Sequence, residues 1–232
     1  PAIVVNHTTA EAPGMKNLQS HLSETFTLPV ELVGNTCGYE MWVTQPRLDV
    51  GVRMFRPSLN DLPEIQLPDG YVCADMKKDQ AWAYIEVMNQ SNFAGNCDQA
   101  WFERAFASDP QYKPEYIKII WKGDKPVAAA AAWHTDSDQE PRGKLHWVGA
   151  INTERGLGLG KAITLAALYG HKKRGFEQAI LDTHTWRLNA IAAYMRMGFE
   201  PLPTENAPQK VWDQVLKDLE MWRKRYAVMK GH

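Results

Sequence analysis

The chain has 232 residues, 44% of them apolar and 23% charged, the balance of an ordinary globular protein large enough for one well-buried domain with an appended piece. Its 26 Lys and Arg nearly cancel its 27 Asp and Glu, so no global field directs it to nucleic acid or to a membrane surface. No apolar run approaches the roughly 20 residues of a spanning helix and no signal-peptide pattern is visible. Cys37, Cys73 and Cys97 are widely spaced and odd in number, which fits reduced thiols in a cytoplasmic protein better than a disulfide framework or a metal site.

Residues 1–36 hold a short apolar start and then polar, helix-compatible sequence. Asn6-His7-Thr8 matches a glycosylation sequon, a short motif that recurs by chance. Met41-Trp42-Val43 and Val50 to Phe55 flank Gln45-Pro46-Arg47, which predicts two strands around a turn. Pro57, Pro63, Pro68 and Gly70 mark a linker that closes an N-terminal extension over residues 1–70. Tyr71 to Met76 reads as a strand, and Asp79 as the cap of a helix with Ala81, Tyr84, Ile85 and Met88 on one side. Asp98 caps a second helix, Gln99 to Ala107, which stops before Asp109-Pro110.

Tyr116 to Trp121, a tight turn over Lys122-Gly123-Asp124-Lys125, and Pro126 to His134 predict a hairpin. The alanines from Ala128 to Ala132 suit a helix by propensity, but the short turn and the flanks favour a strand. A central strand over 143–150 then leads into a glycine-rich turn and a helix from near Gly160 to Lys173, ended by Gly175. Ala179 to Thr183 is the next strand, and Leu188 to Met197 a short helix stopped by Gly198. The last helix follows Pro208 and aligns Trp212, Val215, Leu216, Leu219, Trp222 and Tyr226 on one stripe. That stripe packs on the body of the protein or on a second subunit, as in a homodimer. Helices alternating with strands, some of them paired by hairpins, predict an α/β fold with helices on both faces of a mixed sheet.

The stretch from Gly143 to Lys161 organises the rest. A strand, a glycine turn and a helix start together offer bare N–H groups and a positive dipole end to a phosphate. A P-loop ending at Gly160-Lys161 would need Gly where Arg155 stands and Ser or Thr where Ala162 stands. A dinucleotide fingerprint starting at Gly156 or Gly158 would need its third glycine at Lys161 or Ile163. Both fail.

Arg155-Gly156-Leu157-Gly158-Leu159-Gly160 resembles the Arg/Gln-x-x-Gly-x-Gly/Ala pyrophosphate loop of the Gcn5-related N-acetyltransferase (GNAT) superfamily. Ala190 to Phe199 is similar to the second motif of that family, a helix with Tyr194 four residues before Gly198-Phe199. The resemblance covers roughly Tyr71 to Leu202, which divides the chain into an extension over 1–70, a core over 71–202 and a C-terminal helix over 203–232. It implies a mixed, mostly antiparallel central sheet and an acetyl-CoA co-substrate. Arg155, Gly156, Leu157, Gly158, Leu159 and Gly160 would then hold the pyrophosphate, with Lys161 as a nearby cation. The strand edge at Val148, Gly149 and Ala150 would pair with the pantetheine arm, and the central strand would splay from the strand at Ala179–Thr183. One departure stands out: the family often carries Asn where this chain has Arg187, with Asn189 following.

Transfer to an amine needs two proton movements. An ammonium near pKa ~10.4 must lose a proton before it attacks, and a thiolate leaves better when protonated. Tyr194 matches the general acid of the family. His146 is the leading base, nine residues before Arg155, at a position where serotonin N-acetyltransferase-like members also carry His. Strand alternation would place His146 with Val148 and Ala150, opposite Leu145, Trp147 and Gly149. His184 and Glu86 are weaker candidates, and a strand-edge N–H near Val148 would hold the oxyanion. Lys172, Lys173 and Arg174 fit helix-end solvation and dipole matching better than a ligand site. Trp42, Trp82, Trp101, Trp121, Trp133 and Trp147 read mainly as core, with an acceptor pocket as the second reading. The resemblance implies an N-acetyltransferase of a small amine. A non-catalytic CoA-binding regulatory module and a nucleotide-binding oxidoreductase are the competing readings.

Overall fold

A computed structural model describes residues 3–5, 30–35, 38–43, 49–91, 96–135 and 142–229, the strands before residue 49 by backbone alone. The chain divides into two compact units at Asp49. In the first, β1 (Ile3–Val5), β2 (Val30–Asn35) and β3 (Gly38–Val43) form an antiparallel sheet in the order β1-β3-β2. β3 pairs with β2 from Val30↔Val43 to Asn35↔Gly38, so the hairpin expected between Met41–Val43 and Val50–Phe55 does not form. Cys37 and the sequon at Asn6 lie outside the described residues.

The second unit is built on β4 (Gly51–Arg56), β5 (Tyr71–Asp75), β6 (Ile117–Lys122), β7 (Lys125–Thr135), β8 (Arg142–Ala150), β9 (Ala179–His184) and β10 (Glu200–Leu202). These make a mixed, mostly antiparallel sheet in the order β10-β4-β9-β8-β7-β6-β5, with β8 and β9 its one parallel pair. β4 falls inside the stretch assigned from sequence to an N-terminal extension, yet it pairs with β9 and β10. The boundary therefore moves from residue 70 to residue 49. The proline-rich stretch after β4 holds no helix or strand, but it is not a loose linker. Leu59 is fully buried and donates its N–H to Glu177 O at 2.8 Å, and the Tyr169 hydroxyl donates to Leu62 O at 3.1 Å.

β6 and β7 form the predicted hairpin, turning at Gly123 with φ 57°. Ala128 to Ala132 are strand residues without solvent exposure. Their small side chains let helices approach the sheet from both faces, and burial in a two-sided sheet overrides alanine's helical preference.

The helices are α1 (Ala81–Gln90), α2 (Gln99–Phe102, continued by a π-helical turn over Glu103–Ala107), α3 (Leu159–Lys173), α4 (Leu188–Arg196) and α5 (Gln209–Met229). Asp98 caps α2 by accepting from Trp101 N at 2.6 Å. At α1 the capping residue is Gln80 rather than Asp79, with no side-chain cap. α1 packs on β7 and β8 from one face and α3 from the other. A Cβ added at Gly149 would meet Met88 and Ser91 beside α1, and one at Gly143 would meet the His171 ring of α3. On α5, Trp212, Val215 and Leu219 are buried, whereas Leu216 is 37% exposed. No helix among the described residues is long and apolar enough to cross a membrane.

Candidate active site

β8 and β9 share only three cross-strand pairs, Gly143↔Ala179, Lys144↔Ile180 and Leu145↔Leu181. β8 then runs on to Ala150 along β7, and β9 to His184 along β4. From His146 onward the β9-facing edge of β8 pairs with no described strand, so an opening separates two neighbouring strands in mid-sheet.

The same segment of β8 carries a bulge. Ala131 pairs with His146 and Ala129 with Gly149, so Trp147 and Val148 stand opposite the single residue Ala130. Trp147 has φ 40°, a backbone region that bulky side chains rarely adopt. The extra residue reverses the strand's alternation. Gly143 faces α3 and Gly149 faces α1, although a regular strand would put both on one side. The alternation expected from sequence fails for this reason. His146 and Trp147, predicted on opposite faces, stack on each other with ring centroids 4.2 Å apart. Trp147 stacks in turn on Trp101 at 4.8 Å, and Phe106 meets Trp147 edge-on at 5.4 Å. Trp101, Trp133 and Trp147 thus belong to one aromatic cluster under α1 and α2, whereas Trp82 and Trp121 pair with each other elsewhere at 5.9 Å. The side chain of Trp42 lies outside the described residues.

After β8, buried Ile151 and one helical turn over Asn152–Glu154 lead into the glycine loop. Glu154 is tied to the Tyr71 hydroxyl and to Lys122 at 3.0 Å, which together hold its carboxyl below the usual range. Its charge is thereby turned toward β5 and β6. Gly156 (φ 85°) and Gly158 (φ 78°) take left-handed conformations open to glycine. Gly158 is the N-cap of α3, and the first helical bond runs from Ala162 N to Gly158 O at 3.0 Å. The N–H groups of Leu159, Gly160 and Lys161 therefore have no acceptor within the helix, and neither a side-chain cap nor an acidic residue occupies the first turn. A Cβ added at Gly156, Gly158 or Gly160 would meet nothing within 4 Å, so space lies open above the loop. Leu159, buried, anchors the turn, while Arg155 and Lys161 are exposed.

Beyond β9, Arg187 caps α4 and Tyr194 lies in its last turn, half-buried, with the Phe199 ring edge-on at 5.9 Å. Gly198 ends the helix at φ 81°, where any Cβ would strike the Arg56 guanidinium. Burial pushes the Tyr194 phenol up to about 12, against the opposing charge of Arg187. The Arg187 guanidinium lies 4.8 Å from the Trp186 ring, and its buried Nε has no hydrogen-bond partner among the described residues.

Burial, reinforced by the Lys144 charge, brings the His146 imidazole down to about 4, with Asp182 pulling the other way. Asp182 bridges Lys144 Nζ (2.9 Å) and Arg53 Nε (2.8 Å), and despite partial burial these two cations hold its carboxyl low. Sequence reading did not single out Arg53, Lys144 or Asp182. Lys144 was within reach, two residues before His146 on one strand face; Arg53 was not, because its strand is remote in sequence. His184 ends β9 on the far wall of the opening, and Glu86 accepts from Gln90 on α1 at 2.9 Å. Arg174 is structural: it donates to Ala132 O and lies 3.7 Å from the Tyr116 ring.

A model of the acetyltransferase (GNAT) family matches residues 74–199, more than half of the chain. The chain belongs to the GNAT acetyltransferase family. Other members resemble it at the level of sequence and of fold. Mycothiol acetyltransferase of Thermobispora bispora is 26% identical over 157 residues, 63% of this chain and 52% of that protein. The enzyme of the same name from Kytococcus sedentarius is 29% identical over 161 residues, 64% of this chain and 52% of its own length. The chain spans about half the length of these curated relatives. In fold, this GNAT chain is similar to a GCN5-related N-acetyltransferase from Sphaerobacter thermophilus, with TM-score 0.57 and 17% identity over 68% of this chain and 50% of that one.

Proposed function

We propose that this chain transfers the acetyl group of acetyl-CoA to the amine of a small molecule, directly, within a ternary complex. One observation carries the reading: the β9-facing edge of β8 past Leu145, which pairs with no described strand, leads into an uncapped helix N-terminus at Leu159. Acetyl-CoA supplies an acyl group activated as a thioester, carried on a pantetheine arm that ends in a pyrophosphate. The N–H groups from Arg155 to Lys161 are the donors for that pyrophosphate, and the missing Cβ atoms of Gly156, Gly158 and Gly160 leave room for it. Lys161 adds a charge of the right sign. Val148, Gly149 and Ala150 offer a strand edge to the amides of the arm.

Two side chains handle the protons. Tyr194, neutral until about pH 12, gives its proton to the departing sulfur. His146, neutral above about pH 4, takes the proton that the amine loses, directly or through water. The ammonium first loses one proton through His146 to solvent. As the nitrogen–carbon bond forms and the carbon–sulfur bond breaks, the nitrogen loses a second proton to His146 and Tyr194 gives one to the sulfur. Exchange from His146 to Tyr194 through solvent resets both groups, so one proton is released to solvent per turnover. The Val148 N–H serves the charge that gathers on the acyl oxygen. A base near 4 takes a proton from a weakly basic amine, such as an α-amino group at ~7.7–8.0, across a smaller gap than from an alkylammonium near ~10.4. Weakly basic amines are therefore the favoured acceptors, and relatives named for mycothiol support a small-molecule acceptor.

A covalent relay through cysteine finds no support among the described residues. Cys73 lies on the edge strand β5 with its thiol pushed up to about 11 by burial, and the thiol of Cys97 is raised for the same reason. The test is thiol release from acetyl-CoA across a panel of amines, with the product weighed by mass spectrometry. The reading expects thiol and acetylated amine in equal amounts. CoA binding without turnover on any amine would support a non-catalytic CoA-binding module instead.

A further inference from the structure

We propose that Tyr84 is a positioning residue for acyl transfer, acting through the bulge of β8. This rests on the reading of the β8 edge as the site that receives the acyl group. Tyr84 lies on α1, without solvent exposure, and its hydroxyl donates to the Trp147 carbonyl at 3.0 Å. That carbonyl belongs to the one described non-glycine residue with positive φ. A Trp held at φ 40° is in a strained conformation that persists only where surrounding contacts enforce it. The hydrogen bond from Tyr84 is such a contact, and it comes from a different layer of the protein.

The consequence reaches the opening because a peptide unit moves as a plane. The Trp147 carbonyl and the Val148 N–H are the two ends of one trans peptide, and fixing the first fixes the second. Val148 is the strand-edge donor assigned to the acyl oxygen, and His146, the assigned base, is the residue before Trp147. In the β7 register Trp147 and Val148 stand together opposite Ala130, off the regular pairing, and the Tyr84 hydrogen bond gives this peptide a fixed point from another layer.

The phenol is itself well held. Its ring stacks on Trp101 at 6.2 Å and meets Phe102 and Phe106 edge-on at 6.0 and 5.4 Å. Complete burial raises its pKa well above the ordinary phenol value, so it remains a donor at any working pH. Tyr84 touches no reacting atom in this scheme.

Tyr84→Phe tests the proposal, since it keeps the ring and its packing and removes only the donor. Loss of one buried hydrogen bond predicts a kcat lower by about tenfold. Calorimetric acetyl-CoA affinity should stay within about twofold, because the pyrophosphate loop keeps its own contacts. Amide exchange at Val148 should quicken, a readout independent of turnover. Wild-type kcat in the variant, or equal losses in kcat and acetyl-CoA affinity, would overturn the positioning role. Should the wild-type protein show no turnover at all, the acyl-transfer reading fails, and unchanged exchange at Val148 would then overturn the Tyr84 contact separately.

Discussion

Leu145 and Leu181 form the last cross-strand pair that β8 and β9 share. Beyond it, among the described residues, each of the two strands pairs with its outer neighbour alone, and the bulge at Trp147 and Val148 begins within two residues. Opening and bulge thus coincide on β8, the strand whose end feeds the glycine loop. The proposed transfer rests on this coincidence: one end of the stretch grips and the other reacts.

The acid role of Tyr194 predicts a split between kinetics and binding. Tyr194→Phe should lower kcat by about 10² or more, with acetyl-CoA affinity nearly unchanged. With the phenol near 12, its deprotonation should leave no alkaline limb in the kcat profile until about that pH. Calorimetry and steady-state rates check both, and an unchanged kcat sinks the role.

For His146 the kcat/KM profile discriminates. Burial and Lys144 bring the imidazole to about 4, so the acid limb of the free enzyme should fall near there rather than near the unperturbed ~6.5. His146→Ala should remove that limb and lower kcat. A limb near 6.5 would assign the base elsewhere, with His184 the next residue to test.

Stability should depend on acid through the same physics. His146 near 4 and fully buried His171 near 3 are both neutral when folded and have ordinary values when unfolded. Between ~6.5 and these lowered values the unfolded chain binds more protons, so stability is full above ~6.5 and falls as the pH drops. Each histidine contributes a slope of up to about 1.4 kcal/mol per pH unit in that window. Urea unfolding between pH 4 and 7 measures it, and His171→Gln should reduce the slope.

The seating of α3 on β8 can be tested away from the chemistry. A Cβ at Gly143 would lie 2.5–2.8 Å from the His171 ring, whose Nε2 donates to Trp133 O at 2.8 Å. Gly143→Ala should cost about 1–3 kcal/mol by overpacking. Chemical denaturation reads it directly; a neutral result would mean that the helix lies further from the sheet.

What the sequence disclosed was local. The β6–β7 hairpin was legible from its turn, the glycine loop from its spacing, and α4 from the pattern ending at Gly198. Each signal lies within a few residues of the feature it specifies. The partnership of β4 with β9 was not legible, because Arg53 and Asp182 lie 129 positions apart and nothing in either strand names the other. The bulge was equally hidden. A one-residue insertion leaves no mark in a strand as mixed as Lys144-Leu145-His146-Trp147-Val148, although it reverses every side chain after it. The contact from Tyr84 followed the bulge into obscurity, since its acceptor is a backbone atom.

The most direct measurement is calorimetric titration of acetyl-CoA into the wild-type chain and into Gly158→Asp. Gly158 caps α3 at φ 78° with open space beyond its Cα, so an aspartate there adds bulk and negative charge where the pyrophosphate would lie. The account predicts saturable one-to-one binding to the wild type and none to the variant. Equal binding by both, or none by a folded wild type, would contradict it.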